Sequence, residues 1–471
     1  MIAIPILLLA IAVPHTSAEL VALGTITEAS QFNQGEGIGQ DNGMAFSRDA
    51  AGTLWGVLGN TAHSPGVSIF SGTSVDNMTR QYVAAYNFKV GSPATPSDGA
   101  AGTAFDGIPY PDGPQSRGAL WPMGLYIQPS GRFICYIHNE TGWFAGGTGY
   151  TTTGPGDHEP DFRHIGAMYS DDQGRTWNFA GWVITAHEPS WTTAYQPDGM
   201  TGGQDPSSCI LGAGDFGVID NTNRDGYVYI VYSKGYAQCV ARANPNTDPF
   251  TWTKYYNGNW DQPGNGGLET YVNAINAGEP AIAYAIDLKK FIMVSFDSTA
   301  FADGNGGADV QIQSSPDLIS WSRPELFLNS ENCAYFGICD PGGAGPVADV
   351  HEGFRLLFNK WGSPIHQADV VIREPGDGLA SSQSIALSIS PNPCKGVMDM
   401  WYKIPVDAGT VPVHFVVYDA RGCVVKNVVD GVQSPGTYAT HWNAGNVPSG
   451  VYILRLKAGK RAVVRKALVV K

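Results

Sequence analysis

Charge is scarce in this chain: Asp, Glu, Lys and Arg make up 15% of 471 residues, and the balance is acidic at a net charge of −14. An acidic surface argues against a nucleic-acid partner, because binding phosphates requires a basic one. Long apolar runs are also missing. Past the first 18 residues nothing approaches the roughly 20 consecutive apolar residues of a membrane-crossing helix, so no transmembrane segment is expected. The seven cysteines, Cys135, Cys209, Cys239, Cys333, Cys339, Cys394 and Cys423, contain no Cys-x-x-Cys pair, which removes the usual zinc and redox signatures. No long segment carries a helical period of apolar residues.

What the chain does have is 59 glycines and 11% aromatic residues, the balance of a turn-rich extracellular β-protein. Ile2 to Val13 form a short apolar run that ends at Thr16-Ser17-Ala18, which predicts an exported chain cleaved after Ala18. In an oxidising compartment Cys333/Cys339 and Cys209/Cys239 are the disulfide pairs to test first, and an odd count leaves one thiol over. From about Gln40 to Arg373 short alternating stretches such as 53–58, 133–138, 227–232, 291–296 and 355–358 are separated by Gly, Pro, Asn and Asp clusters, so the class is all-β.

Ser170-Asp171-Asp172-Gln173-Gly174-Arg175-Thr176-Trp177 is the most specific motif. Asp172 is suited to accept backbone N–H bonds in a tight turn, Gly174 to adopt φ > 0, and Trp177 to pack beneath the hairpin. Ser314 to Trp321 is a looser copy, and Asn246 to Trp252 has the same turn-then-Trp shape. The first of these resembles the Asp-box of sialidase-like propellers. That resemblance implies a β-propeller, and about 330 residues in four-stranded blades of about 65 give five blades, with six as the alternative.

After Arg373 the composition changes. Residues 374–384 read as a linker, and 385–471 carry Ser390-Pro391-Asn392-Pro393, Phe415 to Gly422, Gly436 to Asn443 and Ser449 to Leu456. In that order these pieces resemble the immunoglobulin-like FlgD-type domain and the C-terminal sorting domain of the type IX secretion system. The resemblance implies a small β-sandwich that links the protein to secretion machinery, and a secreted or surface-displayed product. The division expected is thus 1–18 signal, 19–373 propeller, 374–384 linker and 385–471 sorting domain.

Side chains that carry chemistry in a propeller belong at strand ends near the central channel. Asp41-Asn42-Gly43-Met44, followed by Trp55 to Thr61, resembles the opening blade of a sialidase-like group that includes endo-arabinanases. Asn60 stands where that group has a second acid, and an amide can neither attack an anomeric carbon nor shuttle a proton, so Asn60 is read as a substrate-binding position. Cys135 to Glu140 ends an apolar strand in a polar cluster; Glu140, beside His138 and Trp143, suits a general acid, with Asp41 as base or nucleophile. Asp215, in Gly212-Ala213-Gly214-Asp215, is the third catalytic candidate, and Asp205 and Glu279 are further carboxylates at blade entries. Arg163 and Arg242 are candidates to hold a polar group of the substrate. Sialidase activity itself is not expected, since no Arg-Ile-Pro segment is present.

Asn221 to Gly226 has the spacing that begins a calcium loop, but its twelfth position is Tyr232, so a plain turn is the better reading. His158 and His164, flanking Glu159 and Asp161, show no established ligand spacing. No cofactor is expected beyond a structural calcium. Export, fold and the aromatic residues Trp121, Trp143, Trp191 and Trp260, read as exposed platforms for sugar stacking, point to a glycoside hydrolase acting on a polysaccharide or glycan. The alternative is a non-catalytic glycan-binding or surface-display propeller.

Overall fold

The computed structural model describes residues 19–33, 43–59, 66–84, 104–111, 115–140, 162–185, 211–234, 237–273, 277–297, 309–328, 333–341, 347–351, 353–360, 364–373, 386–390, 394–404, 408–434 and 436–471. The chain divides into two compact units, Met1–Glu374 and Pro375–Lys471.

Among the described residues of the first unit, five largely antiparallel sheets of four or five strands follow one another along the chain, with a two-stranded pair, Ala104–Pro109 and Gln115–Arg117, beside them. Their innermost strands are Ala45–Arg48, Ala119–Ile127, Phe216–Asp220, Ala277–Ala285 and Cys333–Cys339, which head blades one to five in that order. Each inner strand packs on the next, and the fifth packs back on the first, so the ring is closed. Closure is also covalently staggered: Glu19–Leu23, near the start of the chain, is the outermost strand of blade five and pairs with Ile365–Arg373. The alternating segments read from sequence begin only near Gln40, so this strand extends the propeller at its N-terminal end.

The driving force for the ring is burial on both faces of every blade. In Phe133–Glu140 all eight residues are buried. Phe133, Cys135 and Ile137 enter a core shared with blade one, while Ile134 and Tyr136 enter a core shared with blade three. A strand's side chains alternate, so a central blade needs apolar residues at both parities, and that gives near-continuous apolar runs. Five such shared cores lie between successive blades, including the one between five and one.

The three turn-then-Trp repeats occupy equivalent places, joining the third and fourth strands of blades two, three and four. In the first, Asp172 accepts from the Thr176 N–H at 2.9 Å and the Thr176 hydroxyl at 2.8 Å, and the Gly174 N–H donates to Ser170 Oγ at 2.7 Å. Asp317 accepts from the Ser320 N–H and hydroxyl, and Asp248 from the Phe250 N–H and the Thr251 hydroxyl. Gly174 has φ +86°, and Trp177 and Trp252 are buried.

Several sequence expectations are corrected. Cys333 and Cys339 are the two ends of one strand, about 20 Å apart at the rise of an extended chain, so they cannot bridge. Cys239 is buried with its thiol pushed up to about 12 by desolvation; Cys209 lies outside the described residues. Trp121 is 2% exposed and fills the core between blades two and three, so it is no sugar platform. His164 lies within a strand and stacks on Tyr110 at 4.1 Å between ring centroids. Asn221 to Gly226, in contrast, is a turn as the sequence reads it, and Arg224 donates to Asn221 there.

Blade three is tied to blade two by a buried lysine. Lys254 Nζ donates to the carbonyls of Thr185 at 2.6 Å and Gly267 at 2.9 Å and pairs with buried Glu269, which Lys234 also reaches. Burial pulls the Lys254 ammonium down from its ordinary range while Glu269 opposes that shift.

The second unit is a small sandwich of a three-stranded sheet (386–390, 397–404, 436–443) and a four-stranded sheet (424–433, 411–419, 450–458, 461–469) around Leu387, Met400, Phe415, Trp442 and Leu454.

Replacing Lys254 by Met removes one partner of a buried ion pair and strips two carbonyls of their donor. The expected cost is about 3–5 kcal/mol. Urea unfolding followed by Trp fluorescence should move to lower denaturant in this variant, and an unchanged midpoint would refute the structural role given to Lys254.

Candidate active site at the channel mouth

The alternation that builds the cores also sorts the polar strand ends. Ile134 and Tyr136 face blade three, so His138 and Glu140, at the same parity, face it too. Asn139 takes the opposite side and accepts from the Tyr110 hydroxyl at 2.8 Å. In the neighbouring strand Ile165 and Ala167 face blade three, which puts Arg163 beside Glu140; the two are also register partners.

Asp215 is delivered by backbone geometry. Leu211–Gly212 runs parallel to Phe162–Arg163, and the Ala213 N–H donates to the Arg163 carbonyl at 2.9 Å. A Cβ at Gly212 would lie 2.1 Å from that carbonyl oxygen, and Gly212 has φ +91°, so only glycine fits there. A Cβ at Gly214 would press on the Arg163 side chain at 3.1 Å. The glycines of Gly-Ala-Gly-Asp let the chain hug Arg163 and present Asp215 to its guanidinium.

The outcome is a compact network. Arg163 Nη2 lies 2.8 Å from Glu140 Oε1, and Arg163 Nη1 lies 2.6 Å from Asp215 Oδ2. His138 Nε2 is 2.9 Å from Glu140 and 3.6 Å from Asp215. His138, Glu140 and Asp215 each offer a ligand atom, all within 4.8 Å of one another, a spacing a divalent cation can bridge; the positive charge between the two carboxylates is that of Arg163.

Glu279, from blade four, lines the same end of the channel as Asp215, with Phe216, Pro280 and Tyr335. It sits on a bulge of its inner strand, between Gly278 and Ala281, with φ +49°. Tyr335, on a bulge of the fifth inner strand with φ +57°, donates its N–H to Glu279 Oε2. Left-handed backbone at a non-glycine residue costs of order 1–3 kcal/mol, and bulges of this kind re-aim side chains at functional sites. Burial pushes the Glu279 carboxyl well above the usual carboxylate range, and the charges of Asp215 and Glu140 reinforce that against Tyr335 and Arg163. A carboxyl whose proton is favoured in this way, beside ion-paired carboxylates, is an arrangement able to donate a proton.

Of the residues singled out from sequence, Glu140, Asp215, His138 and Arg163 come together, and Glu279 lines the same mouth. Arg242 does not: it lies near the far end of its strand, opposite Tyr229, its guanidinium packed over the rings of Tyr227 at 4.1 Å and Trp260 at 4.4 Å. Asp41, Asn60, Trp143 and Asp205 lie outside the described residues. Tyr335 escaped sequence reasoning, because its contribution is a backbone N–H made available by a bulge.

No curated protein matches the chain. Among solved structures, the endo-1,5-α-L-arabinanase of Thermotoga petrophila is 13% identical, with a TM-score of 0.40 and coverage of 92% of each chain. The α-L-arabinofuranosidase of Podospora anserina is 10% identical with a TM-score of 0.38, covering 77% of this chain and 98% of that one. A putative hydrolase of Bacteroides ovatus is 12% identical with a TM-score of 0.40, covering 73% and 90%. Residues 388–471 match the model of the secretion system C-terminal sorting domain, so the chain carries an address for secretion or display at the cell surface.

Proposed function

We propose that the propeller is a glycoside hydrolase acting on a polysaccharide or glycan outside the cell. The observation that carries this reading is Glu279, set on a bulged strand at the channel mouth beside Asp215, which shares Arg163 with Glu140, with its carboxyl raised well above the usual range by burial. Hydrolysis of a glycosidic bond needs a proton donor for the leaving oxygen and a carboxylate on the other side of the sugar. Glu279 fills the first role. Asp215 fills the second, as nucleophile or as base toward water, and Glu140 shares its counter-ion and sets its position. His138 and Arg163 orient that pair. Asp41, Asn60 and Trp143 remain part of the proposal on the sequence resemblance alone, as a further carboxylate and two substrate contacts. Kinship with sialidase-like propellers, including the Asp-box reading of 170–177, is supported by the three equivalent Asp turns. Binding of a glycan without turnover is the competing reading, and the amide at Asn60 favours it.

Glu279→Gln keeps an acceptor for the Tyr335 N–H and removes the transferable proton. Release of reducing ends from a polysaccharide panel should fall by at least about 10²-fold, with glycan binding kept. Equal, measurable release by Glu279→Gln, Asp215→Asn and wild type would remove both residues from the chemistry, whereas no release by wild type from a glycan that it binds would favour the binding reading.

The same carboxyl makes a prediction about pH. A group whose folded pKa is raised holds its proton in the folded state after the unfolded chain has lost it, so stability falls as pH rises from about 4.3, the value of an exposed Glu, through the raised value. Glu279→Gln has no such penalty. Thermal unfolding should therefore show the variant more stable than wild type at neutral pH and no more stable at pH below the ordinary Glu range; a variant less stable at neutral pH would contradict a protonated Glu279.

A further inference from the structure

The four-stranded sheet of the C-terminal unit has an outward face that mixes exposed valines with cations. Its inner positions, among them Val413, Phe415, Leu454 and Leu456, are buried in the sandwich core. An antiparallel sheet packed on one side normally turns polar residues outward. Here the outward rows run Val424–Tyr418–Ile453–Lys466 and Asn427–Val416–Arg455–Val464 across the strands. Val432 is 67% exposed, Val424 58% and Val464 49%, with Leu468 beside them at 38%. Val424 and Val432 stand on one edge strand of the sheet and Val464 and Leu468 on the other, and half-buried Val416, Tyr418 and Ile453 span the two strands between them, so apolar atoms run across the face.

The charge on this face is mainly basic, with Asp430 as its one acidic residue. Arg455 and Lys457, both exposed, and Lys466 point outward, and the chain contains no Asp or Glu after Asp430. Asp430 itself is paired with His414 at 2.8 Å. From Pro375 onward Lys and Arg outnumber Asp and Glu by more than two to one, in a protein whose total charge is −14.

We propose that this outward face is the surface through which the sorting domain is read, and that its occupant is an acidic protein surface of the export machinery with an apolar centre. Burying the valines would supply affinity, and Arg455, Lys457 and Lys466 would select a negatively charged rim and fix register. Two other occupants fit less well. A second copy of the same face would set cations against cations, which opposes pairing. A membrane surface is met by Trp, Tyr and long side chains that reach the headgroup level, and this flat face has no Trp or Phe and one half-buried tyrosine, Tyr418.

The test uses the full-length chain expressed in a host with a working type IX system. Arg455→Glu with Lys457→Glu should lower the fraction reaching the surface or medium by about tenfold or more, the scale of losing a charge-complementary contact. Lys395→Glu with Arg421→Glu makes the same change in net charge elsewhere on the domain and should leave export at the wild-type level. Val432→Thr with Val464→Thr preserves shape and strand preference, removes apolar contact, and should also reduce export. Thermal unfolding of each purified full-length variant confirms that the domain is intact. Wild-type export of the folded face variants overturns the proposal. So does binding of the purified chain to phosphatidylglycerol vesicles that Arg455→Glu and Lys457→Glu abolish, or a dimer in sedimentation that they dissociate. Hydrolysis is assayed on purified protein, so none of these results bears on the reading of the propeller.

Discussion

Every blade of the propeller must hide both of its faces, and the rest of the molecule depends on that constraint. A four-stranded sheet with apolar side chains at both parities cannot stop at two layers. It needs a neighbour on each side, and the last sheet must meet the first. The cores shared between successive blades, with Glu19–Leu23 completing blade five, are the physical form of that requirement. Strand alternation then becomes an addressing system, because parity decides which neighbour a side chain meets.

The channel mouth is built by letting that address run past the apolar core into polar residues. Tyr136, His138 and Glu140 share one parity, and only the character of the side chain changes along the row. Arg163 arrives by the same rule from the adjacent strand. Its guanidinium draws two carboxylates from different blades to within hydrogen-bonding distance. Glu279 reaches the mouth by another route, through a bulge and a left-handed backbone that the tight packing of Gly278 against Phe296 surrounds. Left-handed non-glycine backbone in the inner strands is thus found where Glu279 and Tyr335 meet.

The two units solve opposite surface problems. The propeller consumes its apolar strand faces internally and leaves polar groups at the channel mouth. The C-terminal sandwich buries one face of its larger sheet and leaves valines and cations on the other. A domain that serves as an address has to be recognisable from outside, and an apolar, basic sheet face on an otherwise acidic protein is a distinctive label.

The all-β class, the blade count and the change of character after Arg373 were legible in the sequence because each is local. Strand parity, turn chemistry and composition are written within ten or twenty residues. Five residues of the candidate site, His138, Glu140, Arg163, Asp215 and Glu279, could be picked out for the same reason, as polar groups at strand ends, at blade entries or beside paired glycines. Other features depended on tertiary structure. Cys333 and Cys339 look like a disulfide in a spacing count and lie at opposite ends of a strand. Trp121 looks like a sugar platform and is sealed between blades. Arg242 is the right residue type at the wrong end of its sheet. Partnership across blades, the bulge that aims Glu279 and the desolvation that raises its carboxyl all arise when segments more than fifty residues apart close around one axis. Sequence determined which side chains could act, because chemistry and parity are local; only the closed ring decided which of them meet, because distance and burial are not.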